Sequence, residues 1–166
     1  MRDIADSTGV TTASLYNAFG DKRALYRLVL DRYVRLALTA CAEIFDGERP
    51  AVAALERYFD ALIEEALADA LQKGCFVVNT ALEVAPHDAD FRDLVTNVFD
   101  QIEKYLRDCI VSGQSDGTIR TKLPAADLAR LFLGATLGIR VLARTRSERE
   151  FLTGVVRPLF ALLRTT

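Results

Sequence analysis

The chain has 166 residues, 51% of them hydrophobic and 27% charged, and a formal net charge of -2. That composition is globular rather than disordered, and it suits one ordinary domain or a small head on a larger body. Neither a membrane span nor a signal peptide is expected, because the apolar run Leu131 to Ile139 is short and bracketed by Arg130 and Arg140, and Arg2-Asp3 leads straight into a helical pattern.

Charge is unevenly spread. Arg2, Lys22, Arg23, Arg27, Arg32 and Arg35 outnumber Asp3, Asp6, Asp21 and Asp31 in residues 1–35, and the acidic excess lies in the rest. A mildly basic start on an acidic body is compatible with local contact to DNA, although it is weak evidence alone. Cys41, Cys75 and Cys109 are odd in number, far apart and in apolar contexts, which argues against a disulfide framework or a zinc site and fits a reducing cytoplasm. The expectation is a cytoplasmic protein with no metal and no cofactor.

In chain order the elements read as helices, with no alternating strand pattern of useful length. Residues 2–8 form a short amphipathic stretch that stops at Gly9. Thr11 or Thr12 caps a second short helix to Phe19, which Gly20-Asp21 breaks. Asp21 caps a long helix from Lys22 to about Phe45, with an apolar stripe of Leu25, Leu28, Val29, Tyr33, Leu36 and Ala37 and a stop at Asp46-Gly47. After Pro50 a helix runs to about Gln72 and is closed by Gly74. A shorter helix from Phe76 to Val84 ends ahead of Pro86. Asp88 caps the next helix, which runs to Ser112-Gly113, and Gln114 to Leu123 is a loop turning at Asp116-Gly117. Pro124 opens a helix to about Arg144. Ser147 with Glu150 forms a capping box for a last helix that reaches Leu163 and contains Pro158, which should bend it. The fold class is all-α.

Two short helices joined at a glycine are the layout of a helix-turn-helix, and equally of an ordinary helical pair. Ile4, Ala5, Val10, Leu15 and Phe19 supply an apolar side for packing. Thr11, Thr12, Ala13, Ser14, Tyr16 and Asn17 lie on or near the outer side of the second helix, where hydroxyls approach phosphates and an amide reads a base edge. Lys22 adds a cation at a helix N-terminus, which favours phosphate.

The segment RDIADSTGVTTASLYNAFGDKRALYRLVL resembles the signature of the tetracycline-repressor (TetR) family through Ile4-Ala5, Gly9-Val10, Leu15-Tyr16, Phe19 and Lys22 ahead of an apolar helix. The resemblance covers Asp3 to about Leu30 without a gap. It implies that Thr11, Thr12, Ala13, Tyr16, Asn17 and Lys22 face operator DNA. Ala18 departs from the family's frequent histidine, so one phosphate contact would be missing. GCFVVNTALEVAP and LGATLGIRVLART also resemble body segments of one branch of the family. The implied organisation is a partial helix-turn-helix DNA-binding domain with its connecting helix over residues 1–35, and a ligand-binding and dimerisation domain over residues 36–166.

Family members carry one more helix before the segment that opens this chain. Its loss would unpack Ile4, Leu15 and Phe19, so the head is expected to be poorly ordered or rearranged near residues 1–20. Either the natural protein is longer or its head is defective, and the polar outer face kept by the second helix favours the first.

Leu128, Leu131, Phe132, Ala135, Ile139 and Leu142, and Leu152, Val155, Val156, Leu159 and Leu163, form stripes at helical spacing on the last two helices. They read as one intramolecular core or, as the resemblance implies, as a four-helix homodimer interface that sets two heads about 34 Å apart on DNA. A pocket among the middle helices would draw on Tyr58, Phe59, Leu62, Phe76, Asn79, Thr80, Glu83, Phe99, Glu103 and Tyr105, with Asn79 and Glu83 on one face as polar anchors. It suggests a small apolar or aromatic effector. Cys75 at a helix start could act as a redox sensor but reads more readily as inert packing, and His87 among carboxylates reads as a solvated loop residue. With one histidine, no nucleophile elbow and no phosphate-cradling glycine loop, the chain does not read as an enzyme.

The reading is a homodimeric repressor whose effector changes the spacing of its heads through the long helix from Lys22. The alternative is a dimeric small-molecule-binding protein that has lost DNA binding with its first helix.

Overall fold

The computed structural model describes residues 1–46 and 50–164. Its helices are α1 (Arg2–Thr8), α2 (Thr12–Phe19), α3 (Lys22–Phe45), α4 (Ala51–Ala68), α5 (Phe76–Glu83), α6 (Ala89–Asp116), α7 (Ala125–Leu142) and α8 (Arg149–Arg164), with no strand among the described residues. None of these helices is long and apolar enough to cross a membrane. The chain divides into two compact units, Met1–Leu36 and Ala37–Thr166.

In the first unit, local capping sets the helix ends. Gly9 takes the left-handed conformation (φ 70°) that only glycine adopts without a steric penalty, and its N–H donates to the Ala5 carbonyl at 2.9 Å. Thr11 then caps α2, its hydroxyl accepting from the Ser14 N–H at 3.1 Å. Asp21 caps α3 in the same way, accepting from the Ala24 N–H at 2.7 Å. With these caps in place, residues 1–20 hold two regular helices rather than the disordered or rearranged segment expected. The packing differs in part from expectation as well. Ala5 and Leu15 are buried and Phe19 is half-buried, but Ile4 and Val10 stay 38% and 42% exposed.

Along α3, Leu25 is buried, whereas Leu28, Val29, Leu36 and Ala37 of the expected stripe are exposed and Tyr33 is half-buried. Leu30 and Cys41, outside that stripe, are buried instead. Apolar residues occur all round this helix, so periodicity alone does not single out the face that packs. The stop expected at Asp46-Gly47 falls partly on Gly47, which lies outside the described residues.

The second unit is built round α4, whose Leu55, Phe59, Leu62 and Ile63 meet Leu106 and Ile110 of α6, Phe132 and Ile139 of α7, and Leu152, Val156, Leu159 and Leu163 of α8 in one core. Phe59, Phe132 and Phe160 meet edge to face at its centre, with ring centroids 5.7–6.2 Å apart. Helix α5 packs on α6, burying Val77 and Val78.

Three boundaries differ from those expected. Helix α4 ends at Ala68, short of Gln72, because the Asp69 carboxylate accepts the Gly74 N–H at 2.8 Å and draws the chain into a turn in which Gln72 takes φ 50°. Helix α6 runs through Gly113 to Asp116 and ends at Gly117, which is left-handed at φ 80°. Gly113 is therefore a packing position, and a Cβ there would lie 2.7 Å from Ala51 Cβ and from Ile119. Helix α8 begins at Arg149, one residue too late for Ser147 to cap it, and Glu150 turns to Arg157 at 2.9 Å instead of closing a capping box. Pro158 lies inside α8.

Candidate functional site

The candidate DNA-contacting residues gather on one side of α2. Thr12, Ala13, Tyr16 and Asn17 recur at one- and four-residue offsets, which is one face of a helix. Ala13, Tyr16 and Asn17 are exposed, Tyr16 by 48%, and Thr12 is half-buried. Leu15, on the opposite side, is buried, so the buried leucine fixes which face turns outward. Exposed Thr11 caps the start of α2, its hydroxyl engaged with Ser14 Oγ at 2.9 Å. Lys22 is the exposed first residue of α3, next to the cap Asp21. The result is a small convex surface of hydroxyls, a phenol, an amide and an ammonium, suited to phosphate oxygens and base edges rather than to catalysis.

Among the described residues, the candidate effector residues divide between packed core and more exposed positions. Tyr58, Phe59, Leu62 and Thr80 are buried in packed core, and the Thr80 hydroxyl donates to the Phe76 carbonyl at 2.8 Å. Burial pushes the Tyr58 phenol up from its ordinary range, partly offset by a hydrogen bond with Thr136. Phe76 and Phe99 are half-buried, and Glu103 sits 3.4 Å from Arg130. The Asn79 and Glu83 pair separates: the Asn79 amide donates to the Lys73 carbonyl at 2.9 Å and accepts from Arg144 at 3.3 Å, while Glu83 is exposed. Asn79 thus fastens the turn before α5 to the segment just after α7.

Of the residues expected round a pocket, Tyr105 does line an open cleft, of about 260 Å³, with Phe45, Ala51, Ala54 and Cys109. Phe45 stacks nearly parallel to Tyr105, at 6.0 Å and 7°, and also meets Tyr58 at 5.4 Å. Phe45 was not among the expected residues. It ends a long helix, and nothing in linear spacing brings it to α6. Burial raises the Cys41 thiol to about 12 and the Cys109 thiol to about 11, so both stay protonated at neutral pH. Cys75 is half-buried just ahead of α5. His87 is exposed, and the described residues contain no cluster of three His, Cys, Asp or Glu placed to hold a metal.

The expected interface stripes also divide. Leu128, Phe132, Ile139, Leu152, Val156, Leu159 and Leu163 are buried inside this chain's own core, so they are not a surface for a second copy. Ala135, Leu142 and Val155 are half-buried, and Leu131 is 44% exposed. The correction is one of face: both helices are apolar over more than one side, and the heavier side packs inward.

Residues 51–158 match the family described as tetracyclin repressor-like, C-terminal domain, and residues 1–29 match the bacterial regulatory proteins of the tetR family. The chain belongs to the TetR family. Among TetR relatives, the HTH-type transcriptional repressor DhaR of Mycobacterium sp. (strain GP1) is 32% identical over 96% of this chain and 81% of its own length. The HTH-type transcriptional repressor ComR of Escherichia coli (strain K12) is 28% identical over 90% of this chain and 72% of its own. A TetR regulator from Chloroflexus aurantiacus J-10-FL shares the fold, with a TM-score of 0.85 at 24% identity over 99% of this chain and 83% of that one. So does a variant of the TetR regulator CifR complexed with 26 bp operator DNA, with a TM-score of 0.83 at 24% identity over 97% and 84%. As a TetR-family member the chain is a transcriptional regulator and not an enzyme.

Proposed function

We propose that this TetR-family chain is a cytoplasmic, homodimeric repressor that binds operator DNA through the outer face of α2 and Lys22 and releases it when a small apolar or aromatic effector enters the body. The observation that carries the reading is the presentation of Thr12, Ala13, Tyr16 and Asn17 on one side of a capped helix whose opposite side buries Leu15. Residues 1–35 act as the DNA-binding domain with its connecting helix, and residues 36–166 as the effector-binding and dimerisation domain. Helix α3 is continuous from Lys22 to Phe45, so one element carries a DNA-contacting cation at one end and a cleft-lining ring at the other.

The dimer surface we favour is the outward side of α7, where Leu131, Gly134, Gly138 and Val141 recur at helical spacing. Leu131 and Val141 are exposed, and a Cβ on either glycine would meet nothing within 4 Å. Small residues flanked by exposed aliphatics allow two copies to approach closely about a two-fold axis.

Fluorescence anisotropy with DNA from the gene's own upstream region, titrated across salt, tests the reading. Specific binding that falls steeply with salt is expected, because each phosphate contact releases counterions. Asn17→Ala should lower discrimination between operator and random DNA by about 1–3 kcal/mol, as loss of a base-edge contact does. Lys22→Ala should weaken both and reduce the salt slope. A folded chain that binds neither operator nor random DNA would overturn the repressor reading in favour of a ligand-binding protein without DNA affinity, and one that binds both equally would overturn operator recognition by α2.

A further inference from the structure

We propose that the cleft between the end of α3, the start of α4 and the middle of α6 binds a small organic cation with an aromatic body. The proposal rests on the effector-responsive reading above and names the class of molecule. The near-parallel rings of Phe45 and Tyr105, 6.0 Å apart, make one wall, the buried methyls of Ala51 and Ala54 make the floor, and Asp46, Lys104, Asp108 and Ser112 form the rim. A volume of about 260 Å³ exceeds the roughly 150 Å³ apolar cavity that accommodates benzene, so a single ring with a compact substituent fits.

The charge of the rim selects among such molecules. Lys104 is committed to Asp108, with Nζ 2.6 Å from the carboxylate, and Arg107, outside the lining, lies 3.9 Å from the other oxygen. The Asp46 carboxylate therefore remains as the uncompensated charge among the lining residues. Aromatic faces also attract cations, because their quadrupole places negative charge above the ring. The Cys109 thiol faces inward, donates to the Ala51 carbonyl at 3.4 Å and adds no charge. Among the described residues, a carboxylate ligand would meet Asp46 with no free lining cation opposite, and a neutral ring would leave that carboxylate unused. The apolar floor and aromatic wall account for the ring, and Asp46 for the positive substituent.

Calorimetric titration of the full chain with benzyltrimethylammonium, benzyl alcohol and benzoate tests this. The ammonium should bind saturably and about tenfold more tightly than the alcohol, and benzoate should bind most weakly. Asp46→Asn, at an exposed position, should bring ammonium and alcohol to near parity. Ser112→Trp, at the exposed rim, should weaken both by filling the mouth. Equal affinity for the three probes, or an ammonium preference undiminished in Asp46→Asn, would overturn the proposal. DNA binding measured on the same samples separates the two readings. Operator binding without probe binding sinks the cleft alone, and probe binding without operator binding sinks the repressor reading alone.

Discussion

At the scale of single residues, Gly113 shows how much can depend on one absent methyl group. Its Cα sits where α6 crosses the start of α4, and a Cβ would come within 2.7 Å of Ala51 Cβ and of Ile119 Cδ1 and Cγ1. The Ile119 side chain can rotate, but Ala51 Cβ is fixed to its backbone, so the helices themselves would have to move. Gly113→Ala should therefore destabilise the second unit by about 1–3 kcal/mol, as overpacking does, despite the better helix propensity of alanine. The denaturant midpoint measures this, and an unchanged or raised midpoint would show that the crossing is softer than its geometry implies. The sequence misplaces this residue for a physical reason. A glycine after a serine near the end of an apolar pattern reads as a helix stop, but the stop is Gly117, four residues on and left-handed. Nothing local distinguishes a glycine needed for its φ from one needed for its lack of a side chain.

At the scale of elements, the helices of the head were legible because their ends are set locally. Gly9, Thr11 and Asp21 act on neighbours three or four residues away, and each does what its position predicts. Ends set by competition were not legible, and α4 is the clearest case. Its apolar pattern continues past Ala68, yet Asp69 turns its carboxylate onto the N–H groups of Gly74, Lys73 and Leu71. The Gly74 N–H is the main reason the Asp69 carboxyl is held below its ordinary value. The sign of the pH effect follows. A carboxyl whose pKa is depressed in the folded state contributes stability that is fully present above the unfolded value of about 3.9. That contribution fades as pH falls through the lower folded value. The turn over residues 69–74 should thus be ordered at neutral pH and loosen under acid below the ordinary carboxylate range. Asp69→Ala should show the acid behaviour already at pH 7, read as faster hydrogen exchange at the Gly74 and Lys73 amides. Unaltered exchange would mean that Arg144, whose side chain packs on Gly74 and reaches Asn79, holds the turn without the carboxylate.

At the scale of the whole molecule, the homodimer proposed above requires one face of α7 to meet a second copy, and the burial pattern makes that requirement testable. Sequence periodicity marks α7 as apolar but cannot choose between a side that packs inward and one that packs on a partner, since both obey the same 3.6-residue repeat. The structure commits Phe132 and Ile139 to the interior and leaves Leu131 and Val141 at 44% and 46% exposure. Substitutions on the two sides should therefore fail differently. Phe132→Ala should cost about 3–5 kcal/mol of folding stability, lowering the unfolding midpoint whatever the protein concentration. Leu131→Asp with Val141→Asp should change the stability of the isolated chain by no more than about 0.5 kcal/mol per site while converting the proposed dimer to monomer in sedimentation. Operator affinity should fall with the dimer, because a monomer reaches one half-site and loses the high effective concentration of its linked partner. If the double variant stays dimeric and keeps full operator affinity, the association surface lies elsewhere, and the glycines at 134 and 138 have no role in bringing two copies together. If it becomes monomeric but still binds a single half-site weakly, with the salt dependence expected of half the phosphate contacts, the two functions of the chain are separable. The head would then be a competent reader whose affinity depends on pairing.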